Sequence, residues 1–404
     1  MKRIHFIVIL LFVVIGISCV SETSDSNGLH SIRPLTYEEE ILLKSSNEFS
    51  FELLRMLDRD APKENILFSS LGVGNGIGMS LNILELRPKE ELKSFLKISE
   101  VRDIEINKSY YELGRMLNYV DLDVRFENGN SLWINFPNEF SPQSSDQIMA
   151  YYDADVNYLN FGNPKNLRKI NQWAENRTFG KIEQVVDTII PTDKSYIINL
   201  LYFDISKALP FKKVISGPVV FNTLDGDRFE CAGLNLKEGV YNKYVHEDFV
   251  LLDLPLGKGQ FNLTMMIPDK FDALNKMIED LNPDIVKEYI DQATESNEDL
   301  ILPDFEINSE VRLKDLFPEF GLTGPLRVIE GYYPTHNLFI SDFIHKSHFN
   351  IGKDVDGVQT ELELTFTDPA YMVDKPFIFI VREKFTGAIV FTGKLVEPVN
   401  GSSK

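Results

Sequence analysis

The glycine-rich stretch 72–78 is the first candidate for chemistry, because glycines between a strand and a helix can bind phosphate. Glycine alternates with other residues along this stretch, directly after a short apolar run. A dinucleotide-binding loop would need a further glycine three residues after Gly76, where Met79 stands, and no phosphate-binding lysine follows. The glycines instead predict close packing of a core helix against a sheet.

The histidines and cysteines do not form a recognisable catalytic or metal-binding pattern. His345 and His348 lie close together, but in a strand they would point to opposite faces. Cys231 has no plausible base beside it and is expected to be a buried small apolar residue, and no Gly-x-Ser-x-Gly motif occurs. A structural zinc site needs about four ligands. We therefore expect no enzyme, no metal site and no cofactor, but a binding or inhibitory protein.

The charge of the chain excludes one class of partner. Among its 404 residues, 61 are acidic and 41 are basic, which gives a formal net charge of −20. Such a surface repels phosphate groups, so nucleic acid is not an expected partner. Anionic lipid headgroups would repel the folded body for the same reason.

The first residues have the pattern of an export signal. Basic residues precede a continuous apolar run at 7–15, and Gly16-Ile17-Ser18-Cys19 follows. About 11–14 apolar residues are too few to span a bilayer but fit a signal-peptide core. The cysteine resembles the lipidated residue of bacterial lipoproteins. We expect a signal peptide at 1–18, lipidation at Cys19, and a protein held at the cell envelope or surface; an ordinary secretory signal would make it extracellular.

The remaining chain indicates one large α+β domain. Residues 19–36 are polar and are expected to form a flexible tether. Helical periodicity begins at Tyr37, and strand patterns dominate later without a regular βαβ alternation. We place the domain at 37–398 and a short tail at 399–404. A membrane contact is expected only through the lipid at Cys19.

The segment near the C-terminus resembles the signature of one known family. Residues 371–381 read Tyr-Met-Val-Asp-Lys-Pro-Phe-Ile-Phe-Ile-Val, and 386–394 continue into a closing hairpin. Both stretches resemble the serpin family, and 65–69, 170–182 and 199–203 resemble earlier serpin motifs. The resemblance implies three β-sheets, eight or nine helices and a protruding reactive-centre loop.

The resemblance also implies an activity. Inhibitory serpins trap a protease covalently: the protease cuts the loop as a substrate, and the cut loop enters the main sheet as a new strand. On this reading the chain is a monomeric suicide-substrate inhibitor of a serine or cysteine endopeptidase. The alternative is a non-inhibitory protein of the same fold that binds a ligand or a partner at its surface.

The loop itself leaves these alternatives open. The family's hinge begins with a glycine that matches Gly357, and alternate residues after it would face the sheet core or the solvent. The hinge positions are Gly357, Val358, Gln359, Thr360, Glu361, Leu362 and Glu363. Inhibitory members carry small residues there, whereas this chain has bulky and charged ones, and its loop is short. The scissile bond falls near Tyr371-Met372 counted from the hinge, or near Thr365-Phe366 counted back from Pro376.

Three further residues match positions at which serpins control the opening of the main sheet. They are Ser69, Asn199 and His345, while Gly72 replaces a serine of the same group. They are expected either to gate the opening of the sheet or to form a satisfied buried polar cluster with no further role.

Overall fold

The computed structural model describes residues 33–84, 86–138, 140–205, 208–270, 273–322, 340–352, 359–360 and 370–398. At residues 125, 213, 359, 360 and 370 only the backbone is described. These ranges contain nine α-helices: α1 Tyr37–Asp60, α2 Ser70–Leu81, α3 Leu86–Phe95, α4 Asp103–Tyr119, α5 Pro142–Tyr152, α6 Leu167–Arg177, α7 Ala273–Asp280, α8 Pro283–Gln292 and α9 Leu313–Leu316.

Seventeen strands accompany the helices in the same ranges. They are β1 Ile66–Phe68, β2 Arg125–Asn135, β3 Ala154–Leu159, β4 Ser195–Asp204, β5 Phe211–Asn222, β6 Arg228–Gly239, β7 Tyr241–Val245, β8 Phe249–Leu256, β9 Phe261–Pro268, β10 Thr294–Ser296, β11 Asp299–Pro303, β12 Glu306–Arg312, β13 Asp342–Asn350, β14 Gln359–Thr360, β15 Ala370–Met372, β16 Phe377–Glu383 and β17 Ile389–Leu395.

The strands form three sheets. Sheet 1 has the order β12-β13-β4-β2-β3, sheet 2 the order β1-β17-β16-β9-β8-β7-β10, and sheet 3 the order β14-β5-β6-β11-β15. β8 and β9 form a hairpin, with Gly257 and Gly259 at positive φ in its turn. β2, α5 and β3 form one βαβ unit, but helices and strands do not alternate regularly along the rest of the described chain, which confirms the α+β expectation.

The glycines of α2 pack against aromatic rings of α4, of α5 and of sheet 1, and the contact with sheet 1 is the close packing that the sequence predicted. A Cβ on Gly74 would lie 2.9 Å from the hydroxyl of Tyr110, and one on Gly78 would lie 2.3 Å from the hydroxyl of Tyr152. A Cβ on Gly76 would lie only 2.0 Å from the ring of Phe343 on β13. The helix therefore lies against sheet 1 at a distance that only glycine allows.

Two hydrophobic cores lie on the two faces of sheet 1. The larger core contains most of α1, α2 and the strands of sheet 2. The smaller core covers the opposite face, where Ile170 of α6 packs with Ile182, Val185 and Val186 of the segment that follows the helix. The central strands β4 and β13 are therefore buried on both faces, which explains the nearly continuous apolar sequence of β4. Among the described helices, none is long and apolar enough to cross a membrane.

The contact at Gly76 gives a stability prediction. Gly76→Ala should lower the free energy of unfolding by about 1–3 kcal/mol, because the added methyl group displaces the ring of Phe343. The matched control is Gly114→Ala in α4, where nothing lies within 4 Å of the added Cβ. There the better helix propensity of alanine should stabilise the protein by about 0.5–1 kcal/mol. Urea denaturation of both variants measures the difference, and equal effects would contradict this account of α2.

Candidate functional site

Sheet 1 is centred on two parallel strands, β4 and β13, which pair directly with each other. The pairing runs from Asp342 opposite Tyr196 to Asn350 opposite Asp204, and no other strand lies between them. We call this contact the β4–β13 seam. A strand that entered sheet 1 here would have to separate the two along their length and pair with both.

A buried histidine crosses the seam at its middle. His345 of β13 lies opposite Asn199 of β4, and its Nδ1 is 2.6 Å from the side-chain oxygen of Asn199. The backbone N–H of Ser69 donates to Nε2 at 2.9 Å, and the hydroxyl of Ser347 lies 2.7 Å from the same atom. Since Nε2 accepts from the backbone, Nδ1 carries the proton and donates to Asn199. The structure thus brings together Ser69, Asn199 and His345.

The surroundings of His345 oppose its protonation. The side chain is fully buried, and this burial lowers its pKa from 6.5 to about 3. A proton added at Nε2 would also point at the N–H of Ser69, so the cation would lose its acceptor contact. The network therefore requires the neutral imidazole.

The network continues from the seam across sheet 1. The amide nitrogen of Asn199 donates to the side-chain oxygens of Asn128, at 2.9 Å, and Asn130, at 2.7 Å, both on β2. Asn130 in turn donates to the carbonyl of Tyr152 at the end of α5, at 2.7 Å. These bonds hold the amide of Asn199 in one orientation and join β4 to β2 and α5, so the oxygen that meets His345 across the seam is fixed in place.

Gly72 completes the cluster by leaving space for it. A Cβ at this position would lie 2.5 Å from the side-chain oxygen of Asn199 and 3.0 Å from Cε1 of His345. Ser69 caps α2 at this point and accepts from the N–H of Gly72 at 2.9 Å. The glycine that replaces a serine of the family pattern therefore brings the helix start against the seam.

The outer face of the seam is also covered. Ile182 and Val186, from the segment between α6 and β4, belong to the same core as Ile344 of β13. Lys346 of β13 donates to the carbonyl of Gln184 in this segment and forms an ion pair with Glu310 of β12 at 3.2 Å. Opening of the seam must therefore displace this segment as well.

The described part of the hinge lies in sheet 3, outside sheet 1. Gln359 and Thr360 form β14, which pairs in parallel with Ile215 and Ser216 of β5. The other hinge positions, Gly357, Val358, Glu361, Leu362 and Glu363, lie outside the described residues, as do Thr365, Phe366 and Cys19. Their assignments stay predictions.

The candidate scissile bond at Tyr371-Met372 lies within a paired strand. Tyr371 and Met372 belong to β15, which runs parallel to β11, with Tyr371 opposite Leu300. Tyr371 is partly buried, and the ammonium of Lys243 lies 4.7 Å from the centre of its ring.

Sequence reasoning missed several members of the seam cluster. Asn128 and Asn130 alternate along β2, and Ser347 lies two residues after His345, so each pair points to one face of its strand. Polar residues at alternate positions of a buried strand were the signal that the sequence offered for such a cluster. Only the register of sheet 1 shows that these residues meet Asn199 and His345. Among the described residues, no group of three or more His, Cys, Asp or Glu side chains is placed to hold a metal ion.

Comparison with known proteins agrees with this architecture. A profile of the family described as serpin (serine protease inhibitor) matches residues 44–398. The chain belongs to the serpin family. An uncharacterised serpin-like protein of Thermococcus kodakarensis is 22% identical over 432 aligned positions, covering 99% of this chain and 100% of that protein. The leukocyte elastase inhibitor of Xenopus laevis is 21% identical, and the alignment covers 89% of this chain and 100% of that protein.

A solved structure shows the same fold. Native protease nexin-1, crystallised with heparin, superposes with a TM-score of 0.75 at 18% identity, over 89% of this chain and 99% of that one. The described residues form the three sheets and nine helices that the resemblance implied. The expected serpin fold is therefore confirmed. Serpins are in general inhibitors of proteases rather than enzymes.

The burial of His345 predicts a pH dependence of stability. Below pH 6.5 the unfolded chain binds a proton at this residue, whereas the folded protein does not until about pH 3. The contribution of neutral His345 to the free energy of unfolding is therefore complete above pH 6.5. It decreases as the pH falls and is smaller by about 2 kcal/mol at pH 5.

His345→Asn should remove this part of the pH dependence. Urea denaturation at pH 7.5 and pH 5 would then show a loss about 2 kcal/mol smaller than in the unmodified protein. The control His246→Asn lies on the β7–β8 hairpin and should keep the full loss. An unchanged difference between the two pH values in His345→Asn would contradict the assigned burial.

Proposed function

We propose that this serpin inhibits a serine or cysteine endopeptidase as a suicide substrate, by inserting its cut loop into sheet 1. The observation that carries the proposal is the state of the sheet. The β4–β13 seam is closed, while the hinge residues Gln359 and Thr360 pair with β5 in another sheet. A receiving site and a strand held outside it are the two parts that the mechanism needs.

The chemistry belongs to the protease, and the serpin provides the trap. The protease nucleophile attacks a loop carbonyl, the new N-terminus leaves as an amine, and an acyl-enzyme remains. Entry of the freed strand between β4 and β13 would satisfy backbone groups on both sides and bury alternate side chains. Movement of the attached protease follows from that entry, so trapping succeeds when insertion is faster than deacylation.

The position of β15 favours one of the two candidate bonds. A protease binds its substrate as an extended strand, so a residue already paired within a sheet is poorly presented. Tyr371 and Met372 are paired with β11. We therefore place the reactive bond at Thr365-Phe366.

The hinge composition predicts an inefficient trap. Glu361 and Glu363 would face the solvent in an inserted strand, but Leu362 must pass between packed strands. Bulky side chains slow that passage, so a large share of the serpin should be released as cleaved product. The export signal, with lipidation at Cys19, would place this activity at the cell envelope or surface.

A mixture with a panel of serine and cysteine proteases tests the proposal. At least one protease should give an SDS-stable complex whose mass is that of the serpin chain plus the protease. Thr360→Arg should abolish the complex while cleavage continues, because the charged side chain would have to enter the buried face of sheet 1.

Two controls keep this result clear. The same protease inactivated at its nucleophile should give no complex. Cleaved serpin separated from the mixture should melt about 10 °C or more above the intact protein, because an added central strand contributes several kcal/mol. Cleavage by every protease without a complex, and with no rise in melting temperature, would reject the inhibitory function.

A second function, the binding of a small ligand, is favoured by one cleft. A space of about 1150 Å³ lies between α1, α8 and β16. Its walls include Phe51 and Arg55 of α1, Val286 and Ile290 of α8, and Arg382 of β16. Ligand sites typically measure about 300–1,000 Å³, and this cleft is slightly larger, with apolar side chains and many charged ones in its walls.

A thermal-shift screen tests this second function. A compound that binds in the cleft should raise the melting temperature of the serpin, and Ile290→Trp should abolish the rise by filling the space. Cleavage of the loop by proteases should be the same in both proteins. Compounds that stabilise Ile290→Trp equally well would place their binding outside the cleft.

A further inference from the structure

A cluster of aromatic rings lies at the surface where the β7–β8 hairpin meets α8. Tyr244 stacks on Tyr289 with ring centres 5.7 Å apart, and His246 stacks on Phe249 at 4.6 Å. Phe249 is buried, whereas the other three rings are partly exposed. Val245, between two of them, is 66% exposed. We call Tyr244, Val245, His246 and Tyr289 the aromatic patch.

The patch lies beyond the end of the neighbouring strand. β10 pairs with β7 only at Tyr241–Lys243, so Tyr244 and Val245 extend past it. Within the described chain, no strand pairs with β7 at these two positions on that side. Partly exposed tyrosines on a rigid hairpin and helix offer a large contact area with little conformational entropy to lose on binding.

Carboxylates surround the patch. Glu247 and Asp248 occupy the hairpin turn, Asp280 ends α7, and Glu288 precedes Tyr289, and all four are exposed. Among the described residues, no lysine or arginine forms an ion pair with any of them. The pKa of Tyr289 is raised, mainly by burial and further by the negative charges nearby.

We propose that the aromatic patch and its four carboxylates bind a lysine- or arginine-rich segment of a partner protein. Cationic side chains can lie over tyrosine rings while they pair with the carboxylates at the rim. An acidic partner would be repelled, and a purely apolar one would leave the carboxylates desolvated without partners. The patch is separate from the β4–β13 seam, so this binding does not depend on inhibition.

Fluorescence anisotropy with a labelled oligolysine peptide at physiological ionic strength tests the proposal. Asp280→Asn/Glu288→Gln should weaken binding by about tenfold. Because the chain is strongly acidic overall, the control is Glu90→Gln/Glu175→Gln on α3 and α6. It removes two exposed carboxylates, neither of which is ion-paired in the described structure, and should change the affinity by less than about twofold.

The rings are tested separately from the charges. Tyr289→Phe keeps the ring and should bind oligolysine like the unmodified serpin, whereas Tyr289→Leu should bind about three- to fivefold more weakly. Circular dichroism melts establish that each variant is folded. Absence of binding to the unmodified protein, equal losses in the two carboxylate pairs, or equal binding by Tyr289→Phe and Tyr289→Leu would each overturn the proposal.

Discussion

The direct pairing of β4 with β13 is the constraint on which the rest of this structure depends. Two parallel strands meet at the centre of sheet 1, and both of their faces are covered by apolar cores. Neither strand can leave the other without exposing backbone donors and acceptors in a dry environment, which is costly for each unpaired group. The elements around the two strands therefore change the free energy that is needed to separate them.

Two layers, one on each face of the sheet, add to that cost, and they are physically different. On the inner face, the neutral imidazole of His345 joins β13 to β4 and to the start of α2. On the outer face, the apolar segment 182–189 must leave its core before a gap can form. Separation therefore requires several losses at once, which favours a closed sheet until another strand can replace the lost contacts.

Much of the fold could be predicted from the sequence, because its signals are local. The β8–β9 hairpin, the glycine-rich helix and the opposite directions of His345 and His348 each follow from spacing along one element. The match of Ser69, Asn199 and His345 to family positions was available too. The roles of Asn128 and Asn130 were not, because these residues meet Asn199 only through the register of sheet 1. The pairing of Gln359 with β5 likewise depends on a distant strand, which no local pattern specifies.

Gly72 shows why a departure from a family pattern has to be judged in three dimensions. From the sequence, the loss of a serine at this position predicts weaker control of sheet opening, since one hydroxyl is missing. In the structure, a Cβ at this position would collide with Asn199 and press on His345. The glycine permits the short bond between these two side chains and the close approach of Ser69 to the ring. A larger residue would push α2 away and weaken all three contacts, so at this position the smaller side chain gives the tighter seam.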